Sequence, residues 1–123
     1  MSVRLLMIMV TALLVGALPS AATPPQFLIT IENGAPYFLP VSATVETGTS
    51  IRWDNPTATN HTITHNGCVN GEVCAFDSGN MAPNESYTLP GLPPGQYPYF
   101  CQVHPIMRGV LTVTEPAVAP AQT

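Results

Sequence analysis

Apolar and polar residues alternate along most of the chain beyond residue 25. In one stretch Val41, Ala43 and Val45 share a face, and in the next Ile51 and Trp53 do so. A period of two residues is typical of β-strands with one buried face. The pattern predicts short strands over residues 26–31, 41–46, 50–55, 61–65, 85–89, 95–101 and 109–114, and shorter extended segments over 37–39 and 75–77.

The strand patterns are punctuated by 14 Pro and 9 Gly residues, and no long segment has the 3.6-residue period of a helix. Seven or eight short strands in a chain of this length predict an all-β fold, a two-sheet antiparallel sandwich with Greek-key connections. On this pattern alone, an immunoglobulin-like binding module with Trp53 in its core is the alternative. Such a module needs two Cys that bridge its sheets, and Cys68 and Cys74 are too close in sequence for that.

The N-terminal segment has the composition of an export signal. Arg4 precedes an apolar run over residues 5–18, and Pro19 and the small residues Ser20-Ala21-Ala22 follow it. The run is shorter than the roughly 20 residues of a membrane span. We therefore predict a signal peptide over residues 1–22, a single domain over 23–115 and a flexible Ala/Pro-rich tail over 116–123. The alternative is an uncleaved membrane anchor.

This assignment places the protein in the periplasm or outside the cell, with no stable membrane insertion after the signal is removed. The formal net charge is −4, with only three Lys and Arg residues against seven acids. Nucleic-acid binding needs clustered Lys and Arg, so the composition excludes nucleic acid as a partner. We expect a monomer.

The chain has three Cys residues. Cys68 and Cys74 flank a short loop containing Gly and Asn, and an oxidising compartment favours a disulfide between them. Cys101 is then left over. An odd Cys in an exported protein indicates intermolecular pairing, a reactive thiol or a metal ligand.

Metal is the best of these explanations, because the chain reads Cys101-x-x-His104-x-x-Met107. One Cys, two His and a weak axial Met are the donor set of a blue-copper site. The second His is His61 or His65. We favour His61, which follows the loop at the end of the Trp53 strand, because His65 lies about 13 Å further along an extended chain.

The chain resembles the cupredoxins, the small blue-copper proteins, and is closest to the amicyanin, plastocyanin and pseudoazurin group. The short ligand loop resembles that of amicyanin. Thr62 stands where the family often has an Asn that ties the two ligand loops together. The resemblance is carried by Gly48-x-x-Ile51-x-Trp53-x-Asn55 before His61, by Gly95-x-Tyr97-x-Tyr99-x-Cys101, and by the Cys–His–Met loop itself.

The resemblance implies one type 1 copper ion that cycles between Cu(I) and Cu(II). His61, Cys101 and His104 would form its trigonal plane, with Met107 as the axial ligand. It also implies an electron carrier and not an enzyme. Transient redox partners would dock near His104, on an apolar patch formed by Pro105, Ile106, Met81 and Pro83.

Two other functions use the same sequence features. A copper-trafficking or storage protein would employ the same ligands. A metal-free sandwich would serve as a binding module.

Overall fold

The computed structural model describes residues 11–18, 25–34 and 36–116. Most of the predicted signal peptide, residues 1–10 and 19–22, lies outside these ranges, as do residues 117–123 of the predicted tail. Residues 11–18 have no regular secondary structure. Within the described ranges, no helix is long and apolar enough to cross a membrane.

The described residues form two four-stranded sheets that pack face to face. The first sheet has the order β2-β1-β4-β6, and the second has the order β3-β8-β7-β5. The elements in chain order are β1 (Gln26–Ile31), β2 (Phe38–Leu39), β3 (Ser42–Glu46), β4 (Ser50–Asp54), β5 (Thr64–His65), α1 (Gly67–Asn70), β6 (Ser86–Leu89), β7 (Gly95–Phe100) and β8 (Arg108–Thr114).

The all-β sandwich is confirmed, but the purely antiparallel arrangement is wrong. Strands β1 and β4 pair in parallel, and so do β3 and β8. The reason lies in the connections. After β2 the chain crosses to the second sheet for β3 and then returns for β4, and such crossovers allow neighbouring strands to run in the same direction, whereas tight hairpins do not.

One predicted strand is shorter than its pattern suggests, and one predicted extended segment forms no strand. Of residues 61–65 only Thr64–His65 forms a strand, and His61 makes an isolated bridge with Met81. Residues 75–77 form no strand, although Asp77 makes a single bridge with Thr64. The short helix α1, which no sequence pattern predicted, includes Cys68 and leads into the loop that ends at Cys74.

The core lies between the sheets and is rich in aromatic rings. Trp53 of β4 and Tyr99 of β7 are almost fully buried, and their rings meet edge-on with centroids 5.6 Å apart. Fully burying a large apolar side chain contributes about 1.5–3 kcal/mol. The alternation of β7 that buries Tyr99 also buries Cys101, which follows the end of the strand. The core therefore fixes the direction of the Cys101 side chain.

Candidate metal centre

Three of the four predicted donors meet at one end of the sandwich. The Cys101 Sγ lies 3.8 Å from His61 Nδ1 and 3.9 Å from His104 Nδ1, and the two Nδ1 atoms lie 3.2 Å apart. Cys101 and His61 are buried, with 0% and 2% of their surfaces exposed. The fourth predicted donor, Met107, is also buried, at the end of the same loop as His104.

The loop between β7 and β8 presents Cys101, His104 and Met107. Two backbone hydrogen bonds close it. The Met107 N–H donates to the His104 carbonyl at 2.8 Å, and the Cys101 N–H donates to the Met107 carbonyl at 3.1 Å. Because these bonds fold the seven residues back on themselves, all three side chains come from one tight turn.

His61 arrives from the connection between β4 and β5. Its backbone N–H donates to the Met81 carbonyl at 3.1 Å, and the Met81 N–H donates to the His61 carbonyl at 2.8 Å. This pair of bonds joins His61 to the segment that precedes β6. The imidazole is thereby held at the end of the core, facing the loop of Cys101.

Asn55, which is 1% exposed, is the hub of this connection. Its side-chain amide donates to the carbonyls of Thr59, Met81 and Ala82 at 2.9, 3.1 and 3.2 Å. Its side-chain oxygen accepts from both the N–H and the hydroxyl of Thr57, at 3.1 and 2.6 Å. A buried amide with all its hydrogen-bonding capacity used fixes the backbone around it.

Two hydroxyls hold the outer nitrogen of His61. Its Nε2 lies 3.0 Å from Thr57 Oγ1 and 3.0 Å from Thr59 Oγ1. The single proton of the Thr57 hydroxyl points to an oxygen, either that of the Asn55 side chain or the Thr59 carbonyl. Thr57 Oγ1 therefore accepts from His61 Nε2–H. This tautomer leaves the Nδ1 lone pair directed at Cys101 and His104, as a metal ligand requires.

The electrostatics of the site also favour a neutral His61. Burial lowers the pKa of the His61 imidazole, and the charge that His104 can carry lowers it further. A metal ligand must be an unprotonated imidazole, so both effects prepare His61 for an ion.

The two ligand loops are tied together by Thr62. Its backbone N–H donates to Cys101 Sγ at 3.3 Å, and its side-chain oxygen accepts from the Gln102 N–H at 2.8 Å. The threonine thus links the loops where the family often uses an Asn. Its hydroxyl oxygen is the acceptor of that link, because the backbone of Gln102 supplies the proton.

His65 does not join the group. Its Nδ1 accepts from the Ala75 N–H at 3.1 Å, and its ring packs against Phe76 and Tyr97 with centroids 5.5 and 5.7 Å away. The cysteines are paired as predicted. Cys68 and Cys74 form a disulfide, and Cys101 is the free cysteine.

The surface around His104 differs from the rest of the site. His104 is half-buried, Pro105 is exposed, and Ile106 is 84% exposed. Pro83, also predicted for an apolar patch here, is exposed. Met81 was predicted for the same patch, and that is wrong: it is 2% exposed, because its backbone pairs with His61 and its side chain packs into the core.

The size of the donor triangle fits one metal ion. An ion about 2.0–2.1 Å from each His nitrogen and about 2.3 Å from the Cys sulfur would separate the three donors by about 3.5–3.8 Å in a trigonal plane. The structure separates them by 3.2, 3.8 and 3.9 Å. One thiolate with two imidazoles and a nearby thioether is a soft donor set suited to copper in both oxidation states.

The two-sheet sandwich brings two His and one Cys together, with a Met on the loop that carries the Cys. This combination defines a type 1 copper protein. Comparison with protein families agrees, because the model of the cupredoxin-like domain matches residues 5–113. The chain belongs to the cupredoxin-like family, within its amicyanin and plastocyanin group, and the family and the donor set together support one copper ion.

Known proteins of this group are similar to much of the chain. The chloroplastic plastocyanin of Tetradesmus obliquus is 33% identical over 78 residues, which are 59% of this chain and 54% of that protein. The amicyanin of Paracoccus versutus is 28% identical over 94 residues, 76% of this chain and 70% of that protein. Among solved structures, a purple cupredoxin from Nitrosopumilus maritimus is 29% identical with a TM-score of 0.62, covering 71% of this chain and 98% of that one.

Three residues that support the site were not predicted as functional. Asn55 was recognised only as part of a family pattern, and Thr57 and Thr59 looked like ordinary polar loop residues. A signal was present in their spacing, because Asn55, Thr57 and Thr59 alternate between the buried Trp53 and His61. Polar residues in strand-like alternation beside a candidate ligand are candidates for its hydrogen-bond partners.

Proposed function

We propose that this protein is an exported carrier of single electrons that uses one type 1 copper ion. His61, Cys101 and His104 would be its equatorial ligands, and Met107 would be its axial ligand. The observation that carries the proposal is the triangle of two Nδ1 atoms and one Sγ atom, all within 4.8 Å of one another.

Bound copper would supply a Cu(I)/Cu(II) couple that accepts and releases one electron. The chain's own residues hold the donors in one arrangement for both states. His61 is fixed through Thr57 and Thr59, and Cys101 through Thr62. The burial of Cys101, His61 and Met107 keeps water from the donors. A donor set that does not rearrange lowers the barrier to electron transfer.

Redox partners dock transiently on the surface around His104. This imidazole is half-buried while the other proposed ligands are buried, so it is the part of the site nearest to a partner. The exposed side chains of Pro105 and Ile106 surround it with apolar surface. A small apolar contact suits brief encounters, because weak redox complexes bury little area.

Export rests on two features of the chain. Residues 1–22 have the composition of a signal peptide, and the Cys68–Cys74 disulfide is typical of an oxidising compartment. N-terminal sequencing of the protein secreted or released from the periplasm would test it. We expect maturation before Thr23, and a chain that still begins at Met1 would contradict export with cleavage.

The ligand assignment is tested by loading copper into the protein and two variants. Cys101→Ala should lose the intense blue colour, since that colour arises from charge transfer between thiolate and copper. His65→Ala is the matched control and should stay blue, because His65 lies outside the donor group. A blue Cys101→Ala variant would overturn the assignment.

The same experiment separates the alternative functions. A protein that binds only Cu(I) and stays colourless would be a trafficking or storage protein. One that binds no copper and keeps a free Cys101 thiol would be a binding module.

The axial role of Met107 has its own test. Met107→Gln should retain copper and lower the reduction potential, because the axial ligand tunes the potential. An unchanged potential would remove Met107 from the axial position.

A further inference from the structure

A chain of buried hydroxyls leads from the loop of Cys101 to a carboxylate on the other side of β5. Thr62 Oγ1 accepts from the Gln102 N–H at 2.8 Å and lies 2.9 Å from Thr64 Oγ1. Thr64 Oγ1 in turn donates to Asp77 Oδ1 at 3.1 Å. Thr64 is 0% exposed and Thr62 is 8% exposed, so both hydroxyls must find their partners within the protein.

The number of protons available fixes the direction of every hydrogen bond in this series of hydroxyls. The Asp77 carboxylate only accepts, so the one proton of Thr64 is committed to it. Thr62 must therefore donate to Thr64, and its oxygen is left to accept from the Gln102 N–H. The order is Gln102 to Thr62 to Thr64 to Asp77, and in such a chain each bond polarises the next.

Asp77 is held in position for this role. Its Oδ1 also accepts from the Gly79 N–H at 3.0 Å. The backbone beside it pairs with the β5 segment, because the His65 N–H donates to the Phe76 carbonyl at 3.0 Å and the Ser78 N–H to the Ile63 carbonyl at 2.9 Å. The Cys68–Cys74 disulfide closes the loop that leads into this segment. The acceptor at the end of the chain is thus fixed on two sides.

We propose that Thr64 and Asp77 are positioning residues of the copper centre, which act on Cys101 through Thr62. Thr64 holds the Thr62 side chain in the rotamer that receives the Gln102 N–H. The backbone N–H of the same Thr62 donates to Cys101 Sγ. The series of hydrogen bonds from Gln102 through Thr62 and Thr64 to Asp77, which we call the relay, therefore also fixes this bond to the thiolate. Hydrogen bonds to the Cys sulfur tune the potential of a blue-copper site.

The relay makes two predictions of opposite sign, and both rest on the proposed electron-transfer function. Thr64→Val is close to isosteric and removes the relay hydroxyl while Asp77 keeps its charge. Thr62 then loses its acceptor, and its N–H bond to the thiolate loosens. Because a less stabilised thiolate favours Cu(II), the reduction potential should shift downward.

Asp77→Asn keeps an acceptor oxygen for Thr64 and removes the negative charge. Since a nearby negative charge stabilises Cu(II) over Cu(I), the potential should shift upward in this variant. Thr64→Ser restores the hydroxyl and should return the potential to the wild-type value. Thr88→Val, on the outward face of β6, is the matched control and should leave the potential unchanged.

The metal-free protein supplies a second readout. Amide hydrogen exchange at Gln102 should be faster in Thr64→Val than in the wild type, and Thr64→Ser should restore its protection. Unchanged exchange at Gln102 together with an unchanged potential in Thr64→Val would overturn the proposal. Shifts of the same sign in Thr64→Val and Asp77→Asn would also overturn it, because they indicate general loosening. If the wild type binds no copper, the proposed function fails while the exchange experiment still tests the relay.

Discussion

The two histidines of the copper site are held in different ways. His61 is buried, its backbone pairs with Met81, and its Nε2 lies between two threonine hydroxyls. His104 is half-buried on a turn with exposed apolar neighbours, and no described residue forms a hydrogen bond with its Nε2. The two segments that carry these histidines therefore have different roles. The His61 connection, residues 55–61, sets geometry, and the His104 loop, residues 101–107, faces the outside.

This comparison predicts the largest effect at Asn55. Asn55→Ala removes five side-chain hydrogen bonds and leaves the backbone N–H of the buried Thr57 without its acceptor. We expect the free energy of unfolding to fall by about 3 kcal/mol, because unsatisfied buried groups are costly. Denaturant titration measures it. Asn60→Ala, at an exposed position of the same connection, should change stability by less than about 0.5 kcal/mol, and equal losses in both variants would contradict the hub role of Asn55.

The next effect concerns the orientation of His61. Thr57→Val removes the hydroxyl that accepts from His61 Nε2–H. We expect copper affinity to fall by about 10- to 100-fold, as is typical when a partner of a metal-bound His is lost. Competition with a copper chelator measures it, and Thr57→Ser should restore most of the affinity. An unchanged affinity in Thr57→Val would show that Thr59 alone holds the ring.

Part of the difference between the two histidines could be predicted from the sequence. Cys101, His104 and Met107 lie within seven residues, so their spacing alone indicates a metal, and strand alternation correctly predicts that Cys101 is buried. His61 lies 40 residues away, and its choice over His65 depended on estimated strand length. The structure shows why only one of the two reaches the site, since the His65 ring is engaged by Ala75 and Phe76.

Other features could not be predicted from the sequence, because they depend on contacts between distant segments. The threonines of the Asn55 hub have the composition of a solvent-exposed loop, and only the buried Asn55 makes them structural. Met81 stands among Pro and Asn residues that suggest surface, and its burial follows from pairing with His61. Alternation also says which face of a strand is buried but not which strand lies beside it, so the parallel pairs β1/β4 and β3/β8 could not be predicted.

A smaller effect on stability is expected in the His104 loop, at the surface of the site. Ile106→Glu places a charge on the surface beside His104 at a position that is 84% exposed. The free energy of unfolding should change by less than about 0.5 kcal/mol, while electron self-exchange between two copies should slow, since it requires the apolar surfaces to meet. Self-exchange measured by NMR line broadening checks this. An unchanged rate would place the docking surface elsewhere.

The smallest effect is a pH dependence of the folding stability. It arises from Asp54, which directly precedes the His61 connection. Burial acts to raise the pKa of Asp54, but hydrogen bonds from Ser86 and Arg52 and the charge of Arg52 outweigh it, so the pKa lies below its ordinary value of 3.8. The folded state therefore favours the carboxylate. Its contribution to stability is full above the ordinary pKa and is lost as the pH falls through the lowered one.

Asp54→Asn should consequently show a smaller loss of stability than the wild type between about pH 5 and pH 3. Denaturant midpoints across this range measure the difference. Glu46→Gln, which removes an exposed acid from the other sheet, is the control. The same acid dependence in Asp54→Asn and the wild type would refute a role for the Asp54 hydrogen bonds.

An optical redox titration of the copper-loaded protein tests most directly whether one rigid copper site carries single electrons. We expect one copper per chain and an intense blue colour that disappears on uptake of one electron and returns fully on oxidation. A protein that stays colourless with copper bound, or that cannot be cycled without losing the metal, would contradict the account.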